Sequence, residues 1–198
     1  MITRYANADL LAMLSRHRCE QCGACCRWSG HVFLYRDDVR RLANRLDLSI
    51  PIFLNQYCVV VKWMAHGRGQ YRIGLARDIA GTGCVFLKDS RCSVHDFKPL
   101  MCKAGPAGWP WIADPKSFWM YAERSPSFDH DEGSLSVDAA DRWFARTRRA
   151  ELTARKATSL AALAAVYGLP LRLVRSLRIV GFEKGDFDVG VPEKSSIS

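Results

Sequence analysis

Four cysteines occupy eight consecutive residues near the start of the chain: Cys19, Cys22, Cys25 and Cys26, in the string C-E-Q-C-G-A-C-C. No other feature restricts the fold as strongly. Two-residue gaps let successive thiolates turn back toward one point, and Gly23 permits a backbone turn that a Cβ would oppose. Chains hold Zn²⁺ or an iron–sulfur cluster in this way. A second group, Cys84, Cys92 and Cys102, follows much later. Sulfur from two distant segments is therefore expected to converge on bound metal and clamp the fold together.

Four thiolates satisfy one tetrahedral ion or one cubane cluster. The seven cysteines of the two groups exceed that need. Either some of them are neighbouring or redox partners, or more than one ion is bound. In an extended segment, adjacent Cys25 and Cys26 point opposite ways, one to the first metal and the other to a second ion or the core. Cys58 stands alone and reads as a buried, inert thiol. His95 lies close to Cys92 and is read as a planar side chain packing beside the site, not as a ligand. His31 and His66 have no cysteine near them and are read as surface or core residues.

At 198 residues the chain suits one domain with an appendage, large enough to bury a core without disulfide staples. No apolar run approaches the ~18–20 residues that cross a bilayer, so no membrane association is expected. The opening stretch, MITRYANADLLAMLSRHR, has Asp9 in its middle and lacks a long apolar centre. It reads as a short amphipathic helix ending near His17, not as a secretion signal. The expected compartment is the cytoplasm, where grouped cysteines favour metal over disulfide. The net charge of +9 permits nucleic acid, anionic lipid or an acidic protein as partner without selecting one.

In order, His31 to Tyr35 reads as strand-like, and Asp37 or Asp38 caps a helix from Val39 to Leu46. Ser49 and Pro51 open a second helix to about Tyr57. Residues 58–64 and 71–75 pair as a hairpin whose loop, 66–70, exceeds the tightest turns. Gly81 to Gly83 is a flexible turn. Pro99 keeps Lys98 out of the α region, so the chain turns there and presents Cys102. Residues 105–137 are rich in Gly, Pro, Ser and aromatics; Trp109, Trp111, Phe118, Trp119 and Tyr121 read as core filling, with a strand at Phe118 to Ala122.

From Asp138 to Tyr167 the pattern predicts one long helix stopped by Gly168 and Pro170. Trp143, Thr147, Ala150, Ala154, Ala157, Ala161 and Ala164 form its stripe of mostly small residues. Arg142, Arg146, Arg149 and Lys156 lie beside that stripe, as a solvated face or a partner surface. A shorter helix carries Leu171, Val174 and Leu177. There is no phosphate loop, no G-x-S-x-G, no H-E-x-x-H and no C-x3-C-x2-C.

The two cysteine groups together resemble the YkgJ-like cysteine-cluster family, associated with zinc or iron chelation. The resemblance runs through C-x2-C-G-x-C-C at 19–26, the Asp-initiated helix at 37–46, C-x-F-L at 84–87 and C-x-V through P-x-x-C-K at 92–103. It covers roughly residues 15–110. His95 stands where tyrosine is more frequent, and Lys98 where arginine is common. The related flagellin lysine methylases look like iron–sulfur proteins, so the resemblance implies iron over zinc. Nothing in residues 105–198 resembles an S-adenosylmethionine site, so methylation is not implied.

The expected fold is α+β: a small cysteine-rich metal-binding domain at 1–110 with short strands and helices, a connecting segment at 111–137, a helical extension at 138–182 and a loose tail at 183–198. The ligand pool is Cys19, Cys22, Cys25, Cys26, Cys84, Cys92 and Cys102. The leading expectation is a [4Fe–4S] cluster serving electron transfer, protein modification or sensing with another protein as partner. The alternative is a structural zinc module whose basic helix at 142–156 binds nucleic acid or an acidic protein. A reactive thiol at Cys25 or Cys26 ranks last, because no paired base accompanies it.

Overall fold

The computed structural model describes residues 8–27, 31–65, 68–77, 83–108, 118–119, 122, 126–128 and 135–182. The architecture is a small α+β fold with a helical C-terminal region. Its helices are α1 (Ala8–Ser15), α2 (Ala24–Arg27), α3 (Arg36–Arg45), α4 (Ile50–Tyr57), α5 (Leu100–Ala104), α6 (Val137–Ala154), α7 (Leu160–Tyr167) and α8 (Leu171–Ser176). The strands are β1 (Cys58–Ala65), β2 (Arg68–Leu75), β3 (Leu87–Lys88), β4 (Arg91–Cys92) and β5 (Ile179–Phe182).

β1 and β2 form the expected antiparallel hairpin, with Cys58 opposite Leu75 and Ala65 opposite Arg68. The strands run further than the sequence pattern indicates and leave only two residues, 66–67, between them. The order of the sheet is β2-β1-β5, with β5 parallel to β1. The sequence reading had no strand there. Val59, Val60 and Val61 are all buried, as a central strand covered on both faces requires. His31 to Tyr35 is not a full strand. It touches the sheet through a single bridge, Phe33 to Gly74, flanked by Leu34 N–H to Ile73 O at 2.9 Å and Leu75 N–H to Val32 O at 2.9 Å.

Helix α3 begins earlier than expected, at Arg36, because Asp38 sits inside the first turn and its carboxylate accepts the Tyr35 N–H at 3.1 Å. Ser49 occupies the cap position of α4, with Pro51 in the first turn.

The expected single helix from Asp138 to Tyr167 is two. Ala157 leaves the helical ladder to accept the Tyr71 N–H at 2.8 Å, which stitches the break to β2. Ser159 then caps α7, its Oγ accepting the Ala162 N–H at 3.1 Å. Gly168 ends α7 at φ +63°, as its place in the sequence predicts. Ala161, assigned to the apolar stripe, is exposed. Arg72, fully buried, donates to the Ala154 carbonyl and pairs with Glu151 at 2.9 Å, fixing the end of α6 to the sheet.

The main core gathers Leu34, Val39, Leu42, Phe53, Leu54, Val60 and Ile73 with Leu163, Tyr167 and Val174. A second cluster joins Leu10 and Leu14 of α1 to Phe118, Phe128, Ala140 and Phe144. Each buried Val, Leu, Ile or Phe among them contributes roughly 1.5–3 kcal/mol. Phe118, Trp119 and Ala122 have helical backbone where a strand was expected, and Phe118 fills core as anticipated. Trp109, Trp111, Tyr121, His66, Gly81 and Thr82, and the tail from 183 lie outside the described residues. No described helix is long and apolar enough to cross a membrane.

Candidate metal centre

The first cysteine group is docked on the second by backbone, not by sulfur alone. Gly23 sits at φ +73°, and a Cβ there would stand 2.7 Å from the Ser90 carbonyl oxygen and 2.8 Å from Leu87 Cδ1. Only glycine permits this approach. The Arg27 guanidinium donates to the Cys22 carbonyl at 3.0 Å and to Ser90 Oγ at 2.7 Å. The Cys84 N–H donates to the Cys26 carbonyl at 2.8 Å. Cys25 and Cys26 lie in the helical turn α2, not in an extended segment, so they do not point to opposite faces.

The docking surface for Gly23 is the hairpin β3–β4, which pairs Leu87 with Cys92. Its two turn residues, Asp89 and Ser90, have φ of +47° and +61°. A two-residue turn of this hand demands positive φ at both places, and Asp tolerates it better than most residues. Ser93 closes the base of the hairpin with its N–H and its hydroxyl, both on the Phe86 carbonyl.

Cys102 is carried by α5, and α5 is held by α3. Lys98 is extended at φ −53°, ψ 156°, as its position before Pro99 predicts. Asp38, almost fully buried, accepts the Leu100 N–H at 2.9 Å and the Arg41 guanidinium at 2.5 Å. Arg41 also donates to the Phe97 carbonyl and, at 3.1 Å, to the Lys98 carbonyl. One ion pair on α3 thus fixes the turn that delivers Cys102.

The thiols act on one another electrostatically. Hydrogen bonding with Cys26 is the largest influence on both Cys25 and Cys92. Those bonds lower Cys25 to about 7 and Cys92 to about 6; the Lys98 ammonium adds to both effects. The same bonds push the Cys26 thiol far up. Burial raises Cys84 to about 11 and holds Cys102 well above its ordinary range, and the charges of Cys25 and Cys92 act in the same direction on both. Cys25, Cys26 and Cys84 wall one small depression with Val32 and Leu75. Cys19, at the exposed edge, lies 3.7 Å from Lys98 Nζ and 3.7 Å from His95 Nε2. His95 and Lys98 themselves stand 3.1 Å apart.

The structure therefore places Cys25, Cys26 and Cys84 on one depression, with Cys92 and Cys102 within electrostatic reach of them and Cys19 beside His95 and Lys98. Cys22 is tied in through its carbonyl. Cys58 is separate: it belongs to the main core, and burial raises its thiol. None of the cysteines is in a disulfide. Among the described residues, no three Cys, His, Asp or Glu side chains already stand in coordination geometry. The donor chemistry nonetheless fits a thiophilic ion or an iron–sulfur cluster, since it is almost wholly sulfur and supplied from two segments. Sequence reasoning missed Arg27, Asp38 and Arg41 as the groups that bring the segments together. A charged residue inside a first helical turn was the available signal for Asp38.

Residues 18–123 match the family described as "CxxCxxCC: Putative zinc- or iron-chelating domain". The chain belongs to that family, and a metal-chelating cysteine cluster is the class of site it carries. No curated protein and no solved structure matches it.

Proposed function

We propose that this protein carries an iron–sulfur cluster, of the [4Fe–4S] type, drawn from the ligand pool Cys19, Cys22, Cys25, Cys26, Cys84, Cys92 and Cys102, and uses it with a partner protein for electron transfer, protein modification or sensing. The observation that carries the proposal is the hydrogen bond from the Cys84 N–H to the Cys26 carbonyl at 2.8 Å, which holds the late group against the early one. A pool this rich in sulfur exceeds a single tetrahedral zinc ion. When bound, such a cluster supplies one-electron chemistry, at a potential set by hydrogen bonds to sulfur and by exposure. The chain's own part is to gather the thiols, to place the Lys98 ammonium against Cys19, and to leave Cys19 and Cys25 at the surface, where a partner can approach.

The experiment is purification without oxygen, followed by iron, sulfide and zinc analysis with an optical spectrum. Brown protein with matched iron and sulfide supports the proposal, and colourless protein with stoichiometric zinc overturns it. One observation favours the zinc reading: His95 beside Cys19 offers a mixed sulfur–nitrogen donor set of the kind structural zinc accepts.

A further inference from the structure

A cleft of about 500 Å³ opens between α3, α5, α6 and α7, away from the hairpin that docks Gly23. Its size is that of a small-molecule site. Its walls are strongly basic. α3 contributes Arg36 and Arg41, α5 contributes Lys103, and α6 contributes Arg146 and Arg149. Lys103 stands close enough to Arg41 and Arg146 for mutual repulsion. Two carboxylates share the cleft, and they leave Arg36, Lys103, Arg146 and Arg149 in excess. Asp38 is committed to Arg41 and to two backbone N–H groups, and Asp37 is exposed at the rim. Like charges brought together by three separate elements cost folding free energy unless something anionic comes between them.

A further feature suggests what that anion is attached to. Trp143 lies in the wall, with the Arg146 guanidinium 5.9 Å from its ring centroid, and Leu100 and Ala150 extend the apolar side.

We infer that this cleft is a binding site for a phosphorylated small molecule, its phosphate held by Lys103, Arg146 and Arg149 and its apolar body laid against Trp143. The inference stands on the cleft alone and does not depend on which metal the cysteines hold.

The test is calorimetric titration of the full-length, metal-assayed protein with phenyl phosphate, inorganic phosphate and phenol. Phenyl phosphate is expected to bind with a dissociation constant on the order of 100 µM, inorganic phosphate about tenfold more weakly, and phenol not measurably. The double variant Arg146→Gln/Arg149→Gln, whose residues are exposed on α6, should lose at least about tenfold through its charge-assisted bonds, with a melting temperature no lower than that of the unliganded wild type. Absence of saturable binding, or full affinity in the double variant, overturns the inference. So does tight binding of an oligonucleotide that weakens equally with Arg142→Gln, because Arg142 does not line the cleft and such a result would mark an extended polyanion surface.

Discussion

Replacing Asp38 by asparagine tests how the fold delivers its late cysteines. The carboxylate serves three partners: Tyr35 N–H at 3.1 Å, Leu100 N–H at 2.9 Å and the Arg41 guanidinium at 2.5 Å. Asparagine keeps the shape but offers one acceptor oxygen. If that oxygen stays on Leu100 and Arg41, its amide group faces the Tyr35 N–H, donor against donor. A buried donor left unpaired costs about 1–3 kcal/mol. Loss of the negative charge beside a partly buried guanidinium adds about 1–2 kcal/mol. The sum is about 3 kcal/mol, a large share of the ~5–15 kcal/mol that holds a domain together. Urea unfolding of the metal-loaded protein measures it. Because Asp38 and Arg41 fix the turn that presents Cys102, metal content per chain should fall as well. Asp37→Asn, at an exposed neighbour, should stay within about 1 kcal/mol and keep its metal. Should Asp38→Asn match wild type within 1 kcal/mol and retain full metal, the clamp described here plays no part in the site.

Other perturbations have equally definite outcomes. Gly23→Ala places a Cβ 2.7 Å from a carbonyl oxygen at φ +73°, and should cost about 2–4 kcal/mol with loss of metal; an intact, metal-replete variant would contradict the docking. Glu151→Gln leaves buried Arg72 without its anion and should lower the unfolding free energy by about 3 kcal/mol, whereas a loss below about 1 kcal/mol would show the pair to be incidental. Cys58→Ala should leave metal stoichiometry unchanged and cost only about 1 kcal/mol of packing, and metal loss would make Cys58 a member of the site. Burial, aided by Arg77 and Arg178 and opposed by the Leu75 carbonyl, holds the His31 imidazole below its ordinary range. The unfolded chain therefore binds the proton more readily; this contribution is complete above about pH 6.5 and is lost as the pH falls below it. His31→Gln should flatten the stability profile in that window, and a profile identical to wild type would assign the slope elsewhere.

What the sequence reveals here is what is local. The turn imposed by Pro99 and the stop at Gly168 are each legible within a few residues, and each has its expected form; the C-x2-C-x2-C-C string is legible as a cluster, but Cys25 and Cys26 lie in a helical turn where an extended segment was the expectation. The acidic start of α3 is legible too, but not the second duty of Asp38, whose partner Leu100 is distant in the chain. The long C-terminal helix fails for the same reason. Its period is continuous in the sequence, yet the Ala157 carbonyl is claimed by Tyr71 and the Ala154 carbonyl by Arg72, so tertiary bonds end the helix where propensity would extend it. β5 is too short, at four residues, to announce itself by alternation. The nearness of Lys98 and His95 to Cys19 depends on the folding of two segments together and leaves no mark on either.

Sulfur ligation drawn from both segments of the chain is the claim on which the rest depends. X-ray absorption at the metal edge of anaerobically purified protein reports it directly. The expected spectrum has a first shell dominated by sulfur, which loses sulfur scatterers both in Cys22→Ser, from the early group, and in Cys92→Ser, from the late one. A shell of nitrogen and oxygen, or a spectrum untouched by either substitution, would contradict it.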